Sequence, residues 1–268
     1  MTWQPKLAAL DVDGTLVGDA NLVSDAARAI VSRVVDAGVP VILATGRGWA
    51  AAQTVIDQLP IQHAEHVCSN GAVTVRYPPF EVVDVLTFDP RPVVERIRAE
   101  IPDALVAVET VGRGYQASAP FPDGELLGAI EIVSIDAMMS RPATRVVIRD
   151  PAASEQEFVE LAHRLHLEGV SYAVGYTAWL DIAPHGIDKA HGLARVCARA
   201  GVAAEDVLAV GDGRNDIEML TWAGRGVAMT GAPPEVLAVA DAVTGSVADD
   251  GLVAELGRWF AAGSPRRG

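Results

Sequence analysis

Two hydrophobic rhythms alternate along this chain. Short unbroken apolar runs of strand length, KLAALDV at 6–12 and VPVILATG at 39–46, are separated by a stretch whose apolar residues recur at helical spacing. Within SDAARAIVSRVVDAG at 24–38, Ser24 can cap a helix start, Ala27, Ile30, Val31 and Val34 form one apolar face, and Gly38 ends it. A second helix is expected over RGWAAAQTVIDQL at 47–59, stopped near Pro60, and HVCSNGAVTV at 66–75 reads as two strands around an Asn70-Gly71 turn. Strands alternating with helices imply right-handed crossovers and a mostly parallel sheet, a Rossmann-like doubly wound α/β core.

The same rhythm returns late: strand TAWLDIAP at 177–184, helix DKAHGLARVCARAG at 188–201, strand DVLAVGD at 206–212, helix NDIEMLTWAG at 215–224, and short elements to VAELGRWF at 253–260. Between them the order changes. Strands are expected at 82–88, 105–110, 143–149 and 170–176 and helices at 92–101 and 154–165, with no clear assignment for PFPDGELLGAI at 120–130. Pro78-Pro79 on one side, and Pro184 and Gly186 on the other, punctuate the change. The reading is a discontinuous core, 1–82 and 184–268, with an α+β domain inserted at 83–183 and a short tail, GSPRRG, that is frayed.

Composition narrows the function. At 268 residues and 50% hydrophobic content the chain can bury a sizeable core. Its 21 Lys and Arg against 35 Asp and Glu, a formal charge of −14, argue against nucleic acid as a partner, because counterion release needs a basic footprint. No run approaches the about 18 apolar residues that span a bilayer, and no leader pattern opens the chain. A cytoplasmic protein with no membrane partner, monomer or homodimer, is expected. Cys68 and Cys197 lack paired spacing and read as small core residues.

The chemistry begins where the first strand ends in two acids, LAALDVDGT at 7–15. Strand period places Asp11 and Asp13 on the same side, at the sheet edge where open α/β folds bind ligands. An EF-hand fails, since Thr15, Leu16 and Leu22 stand where acid, glycine and glutamate are required. A locally capped turn, with Asp13 and Thr15 bonding the backbone, remains the plain alternative. Three further segments weigh against it. LATGR brings Thr45, Gly46 and Arg47 to a helix start suited to an anion; GDGRND supplies Asp212, Asn215 and Asp216 after a buried strand; and Lys189 stands in the first turn of a helix, against the macrodipole.

In this order, DVDGT, TGR, Lys189 and GDGRND resemble the four motifs of the haloacid dehalogenase-like superfamily, and the insertion resembles its Cof-type branch of capped phosphatases. SNGA at 69–72, LDIAPHGIDK at 180–189 and DDGLV at 249–253 extend the likeness over nearly the whole chain, while Asp188 and Ala190 depart from the pattern around the lysine. The resemblance implies a phosphatase for small phosphorylated metabolites such as sugar phosphates, with Asp11 as nucleophile and Asp13 as general acid and base. It implies Mg²⁺ on Asp11, Asp13 (through its carbonyl) and Asp212, with Asp216 nearby or directly bound. Thr45, Gly46, Arg47, Lys189 and Asn215 would then hold substrate, and an insertion closing over the site would read the rest of the molecule.

A phosphomutase or phosphotransferase would use the same motifs with a different acceptor. A noncatalytic sensor of a phosphorylated metabolite gains little support, with both Asp11 and Asp13 present. Gly46-x-Gly48-x-x-Ala51 after a strand, with Glu65 further on, fits a dinucleotide fingerprint and so an NAD(P)-dependent oxidoreductase, which would leave the acids and Lys189 unexplained. His63 and His66 are expected to be solvent-exposed, and Trp179 to serve packing.

Overall fold

The computed structural model describes residues 3–18, 20–165, 170–174 and 179–260. The tail at 263–268 lies outside them. Five parallel strands form the central sheet in the order Ala242–Thr244, Arg225–Met229, Val207–Gly211, Leu7–Leu10, Val41–Leu43. The strand Leu7–Leu10 is buried throughout because both sheet faces are covered. Its side chains alternate: Ala8 and Leu10 join Ile30, Val31 and Val34 of the helix Asp25–Asp36, whereas Leu7 and Ala9 join Leu193, Val196 and Cys197 of the helix Lys189–Ala200. Ser24 caps the first of these helices by accepting from the Ala27 N–H at 3.0 Å, as its sequence suggests. Both cysteines are free and buried.

A three-stranded antiparallel sheet, Ala64–Cys68, Val73–Tyr77 and Glu81–Val85, adjoins the central one through a parallel bridge between Ala44 and Val67. Here two readings are corrected. The strand expected to open the insertion instead completes this hairpin sheet, so Pro78-Pro79 lies in a hairpin turn. Asp84 holds it there, ion-paired with Arg195 and, at 2.8 Å, with Arg199 of the helix Lys189–Ala200. His66 is fully buried, not exposed. Its Nδ1 accepts from the Leu43 N–H at 3.1 Å, continuing the sheet between two strands, and burial pulls its pKa down to about 4. His63 is exposed, as expected.

The six-stranded sheet runs Val170–Val174, Trp179–Pro184, Val146–Arg149, Leu105–Thr110, Gly114–Ala117, Ala129–Ile132. All its pairs are antiparallel except the last. One face is apolar: Val106, Val108, Val146, Ile148, Leu180 and Ile182 pack with residues of the helices Arg91–Glu100, Ile135–Met138 and Glu155–Leu165. The opposite face alternates with it residue by residue and carries Glu109, Tyr115, Arg145, Trp179 and Asp181 together with a smaller apolar cluster. Gly114–Ala117 and Ala129–Ile132 had no sequence signal, the first being a short polar strand opened by glycine and the second exposed throughout.

The Ser69–Gly71 turn braces the lysine helix. Gly71 has φ +97°, and a Cβ there would stand 2.0 Å from the Asp188 carbonyl oxygen, while Asp188 caps Lys189–Ala200 by accepting from the His191 N–H at 2.7 Å. Gly38 also has φ +76° but faces open space. Gly71→Ala is therefore expected to cost about 3 kcal/mol or more in urea unfolding, against about 1–2 kcal/mol for Gly38→Ala, which bears only the left-handed backbone penalty.

Candidate active site

Because parallel strands end at a common edge, Asp11 after Leu10, Thr45 after the strand Val41–Leu43 and Asp212 after Gly211 emerge together. The ladder runs one residue past the first strand: the Asp11 N–H donates to the Val210 carbonyl at 2.9 Å. From the other side comes Lys189, first residue of its helix and 0% exposed. Its Nζ lies 2.6 Å from Asp11 Oδ1 and 2.6 Å from Asp216 Oδ1. The second Asp216 oxygen accepts from the N–H groups of Asp212 and Gly213, each at 2.9 Å, which shapes the GDGRND loop. Thr15 Oγ1 donates to Asp212 at 3.2 Å.

Oxygen atoms of Asp11, Asp212 and Asp216 all lie within 4.8 Å of one another. One lysine does not neutralise three acids. Burial first, and then Asp216, push the Asp11 carboxyl well above the usual range despite Lys189. The same two causes push Asp212 up to about 6. Burial opposes charge on Lys189, but Asp11 and Asp216 outweigh it and hold the ammonium charged beyond its ordinary range. Such a cluster of hard oxygen donors with excess negative charge fits Mg²⁺, which takes oxygen ligands and few of them from protein. Asp11 and Asp212 border the cavity in front of the cluster, whereas both Asp216 oxygens already accept from protein donors.

The remaining expected residues divide. Asp13 is outside the acid cluster: its side chain is 62% exposed and forms a two-pronged pair with Arg47, with Nε 2.8 Å from Oδ2. Arg47 also donates to Asn21 at 2.7 Å, so its guanidinium is engaged with protein and not simply offered to a ligand. Thr45 is buried, its hydroxyl accepting from the Arg47 N–H at 3.0 Å. Gly46 lies beside Asn215, whose Nδ2 donates to Asn70 Oδ1 at 2.9 Å. Asn70 was not singled out as a site residue from sequence; the signal was its place before glycine, and it adopts φ +51°.

A cavity of about 460 Å³ opens over these groups. Asp11, Asp13, Arg47, Asp212 and Asn215 line its floor, and Tyr115, Arg145, Trp179 and Asp181 line the wall contributed by the six-stranded sheet. Trp179 thus borders the cavity while also packing edge-on against Phe121. Floor and wall are tied by Glu109, buried, which accepts from Ser69 Oγ at 2.6 Å and Thr144 Oγ1 at 3.0 Å. The dinucleotide reading loses its acid, because Glu65 is paired with Arg76 and Arg199. A Cβ on Gly48 would meet Glu109 Oε1 at 2.7 Å and the Tyr115 hydroxyl at 3.0 Å, so the wall stands close against this glycine. Burial pushes the Tyr115 hydroxyl up to about 12.

Comparison with known proteins identifies the family. A family model of haloacid dehalogenase-like hydrolases matches residues 8–256. A 5-amino-6-(5-phospho-D-ribitylamino)uracil phosphatase of Bacillus subtilis is 28% identical over 258 residues, 95% of each chain. A solved phosphatase of the haloalkanoate (HAD) superfamily from Bacteroides thetaiotaomicron superposes with a TM-score of 0.78 at 29% identity, over 96% of this chain and 95% of that one. A sugar phosphatase of HAD subclass IIB reaches a TM-score of 0.80 at 22% identity over 94% of this chain and 98% of that one, a likeness of fold. The motif resemblance is borne out. Among the described residues no helix is long and apolar enough to cross a membrane.

Two outcomes are expected at this site. Lys189→Met should destabilise the protein by about 3–5 kcal/mol in denaturant unfolding, because it leaves buried carboxylates without their partner. Asp212 binds its proton more tightly folded than unfolded, so its favourable contribution is full below its ordinary value of 3.8 and is lost as pH rises through about 6. Without metal, the melting temperature should fall over that window; Mg²⁺ should restore more of it at pH 7.5 than at pH 5, and Asp212→Asn should flatten both responses.

Proposed function

The chain belongs to the haloacid dehalogenase-like hydrolases, and from that membership we propose that it is a Mg²⁺-dependent phosphatase of small sugar or polyol phosphates, working through an aspartyl-phosphate on Asp11. The observation that carries the reading is the buried Lys189 held between Asp11 and Asp216, with Asp212 alongside. The Bacillus subtilis relative is named for a substrate with a phosphorylated ribityl group, which supports the substrate class. Two free buried thiols accord with a cytoplasmic setting.

An oxygen of Asp11 attacks phosphorus as the bond to the leaving oxygen breaks, and Asp13 passes a proton to that oxygen. In the second step water attacks phosphorus, the bond to Asp11 breaks, and the water proton goes to Asp13. Two like charges about 4 Å apart repel by about 4 kcal/mol at an effective dielectric of about 20, so a carboxylate meeting a phosphate dianion needs cations. Mg²⁺ held by Asp11, Asp212 and the Asp13 carbonyl would supply positive charge there. Lys189 supplies more, and fixes the Asp11 side chain in place. The Gly46 N–H and the Asn215 amide, with the buried Thr45 hydroxyl behind them, would receive the transferring oxygens. An incoming phosphate would compete with Asp13 for Arg47, which now pairs with that carboxyl.

Purified protein assayed for inorganic phosphate release, with Mg²⁺ and with chelator, tests this. Asp11→Asn should keep its melting temperature within a few degrees and lose turnover. Asp13→Asn should lose about 10²- to 10⁴-fold on an alkyl phosphate but less on p-nitrophenyl phosphate, whose leaving group needs no proton. An Asp11→Asn variant that still turns over, or activity indifferent to chelator, would count against the proposal.

A further inference from the structure

The cavity wall carries an ion pair for which the hydrolytic steps have no use. Arg145, 6% exposed, points Nε at Asp181 Oδ1, 2.6 Å away, and Nη1 at the Tyr115 hydroxyl, 2.7 Å away. Its guanidinium carbon stands 5.9 Å from the ring centres of both Tyr115 and Trp179. The group is therefore clamped. A guanidinium has five N–H donors in a rigid fork, of which these contacts take two, and a carboxylate accepts more than one bond. The wall thus shows donors and acceptors side by side with no net charge. Other cations of the cavity lining are likewise matched: Arg47 with Asp13, and Arg214 with Glu235. Glu125 of the same lining is matched by Arg149.

We infer that the Arg145–Asp181 pair is the specificity-determining element of the cavity, accepting phosphomonoesters whose leaving group is uncharged and hydroxyl-rich, and that Asp181 rejects leaving groups bearing a second anion. This rests on the phosphatase reading above. A hydroxyl both donates and accepts, so it can bridge Arg145 and Asp181 without disturbing either. Of the pair, Asp181 is the more exposed, 16% of its side chain against 7% for Arg145, so a carboxylate or second phosphate meets the Asp181 charge first and is repelled at short range, which is discrimination by repulsion. Trp179 and Leu127 offer apolar surface to the C–H groups of the same molecule.

The test uses a matched pair, D-glucitol 6-phosphate and 6-phospho-D-gluconate, which differ only in a terminal CH₂OH against a carboxylate, with p-nitrophenyl phosphate as reference. The wild-type protein with Mg²⁺ should favour the glucitol ester by about tenfold or more in kcat/KM. Asp181→Asn should shrink that ratio by about tenfold, because it leaves Arg145 with an uncompensated charge, and Arg145→Gln should widen it, because it leaves Asp181 with one. Opposite movement of one ratio is not produced by loss of structure, which lowers both rates alike. If either variant fails to fold, the other still reads the ratio. Turnover of p-nitrophenyl phosphate with equal use of the matched pair, or a ratio unmoved in the variants, overturns this inference and leaves the phosphatase reading standing; no turnover of any of the three esters overturns that reading itself.

Discussion

A single buried ammonium organises this molecule. Lys189 is wholly inside the protein and would be costly there without partners, so the fold brings two carboxylates from distant stretches to it, Asp11 and Asp216. Each partner has a second task. Asp216 uses its other oxygen to gather the Asp212 and Gly213 N–H groups, and Asp11 stands at the end of the central strand. The lysine in turn is aimed by its helix, whose Asp188 cap is pressed against Gly71. Chain segments from three parts of the sequence are thereby locked around one charge.

That arrangement is stable as a structure and incomplete as an electrostatic balance. Three carboxylates share one lysine, and burial raises the cost of ionising Asp11 and Asp212. The cluster thus holds more negative charge than its lysine can match, the kind of excess that a divalent cation would offset.

Strand geometry divides the cavity between two sheets. Parallel pairing sends Asp11, Thr45 and Asp212 out of one sheet edge, while the period of two in the six-stranded sheet gives an apolar face to its helices and a polar face to the cavity. Glu109, Ser69 and Thr144 join the two through hydrogen bonds to a buried carboxylate. The wall above the acids is therefore held at a defined position relative to them.

Much of this was legible in one dimension. Apolar runs and helical stripes located the central strands and the helices Asp25–Asp36 and Lys189–Ala200, because a strand buried on both faces and a helix buried on one leave periods that need no partner to be recognised. Acids at the ends of buried strands marked the floor of the site for the same reason: burial without pairing is too costly to be accidental. Tertiary structure decided what depends on contact. The burial of His66 and the hold of Arg47 on Asp13 follow from neighbours distant in sequence, and so does the hold of Arg195 and Arg199 on the hairpin strand Glu81–Val85 through Asp84. The alternation in 145–149 and 179–183 separates two sets of side chains, but only the packing of helices on one face determines that Arg145 and Asp181 turn to the cavity.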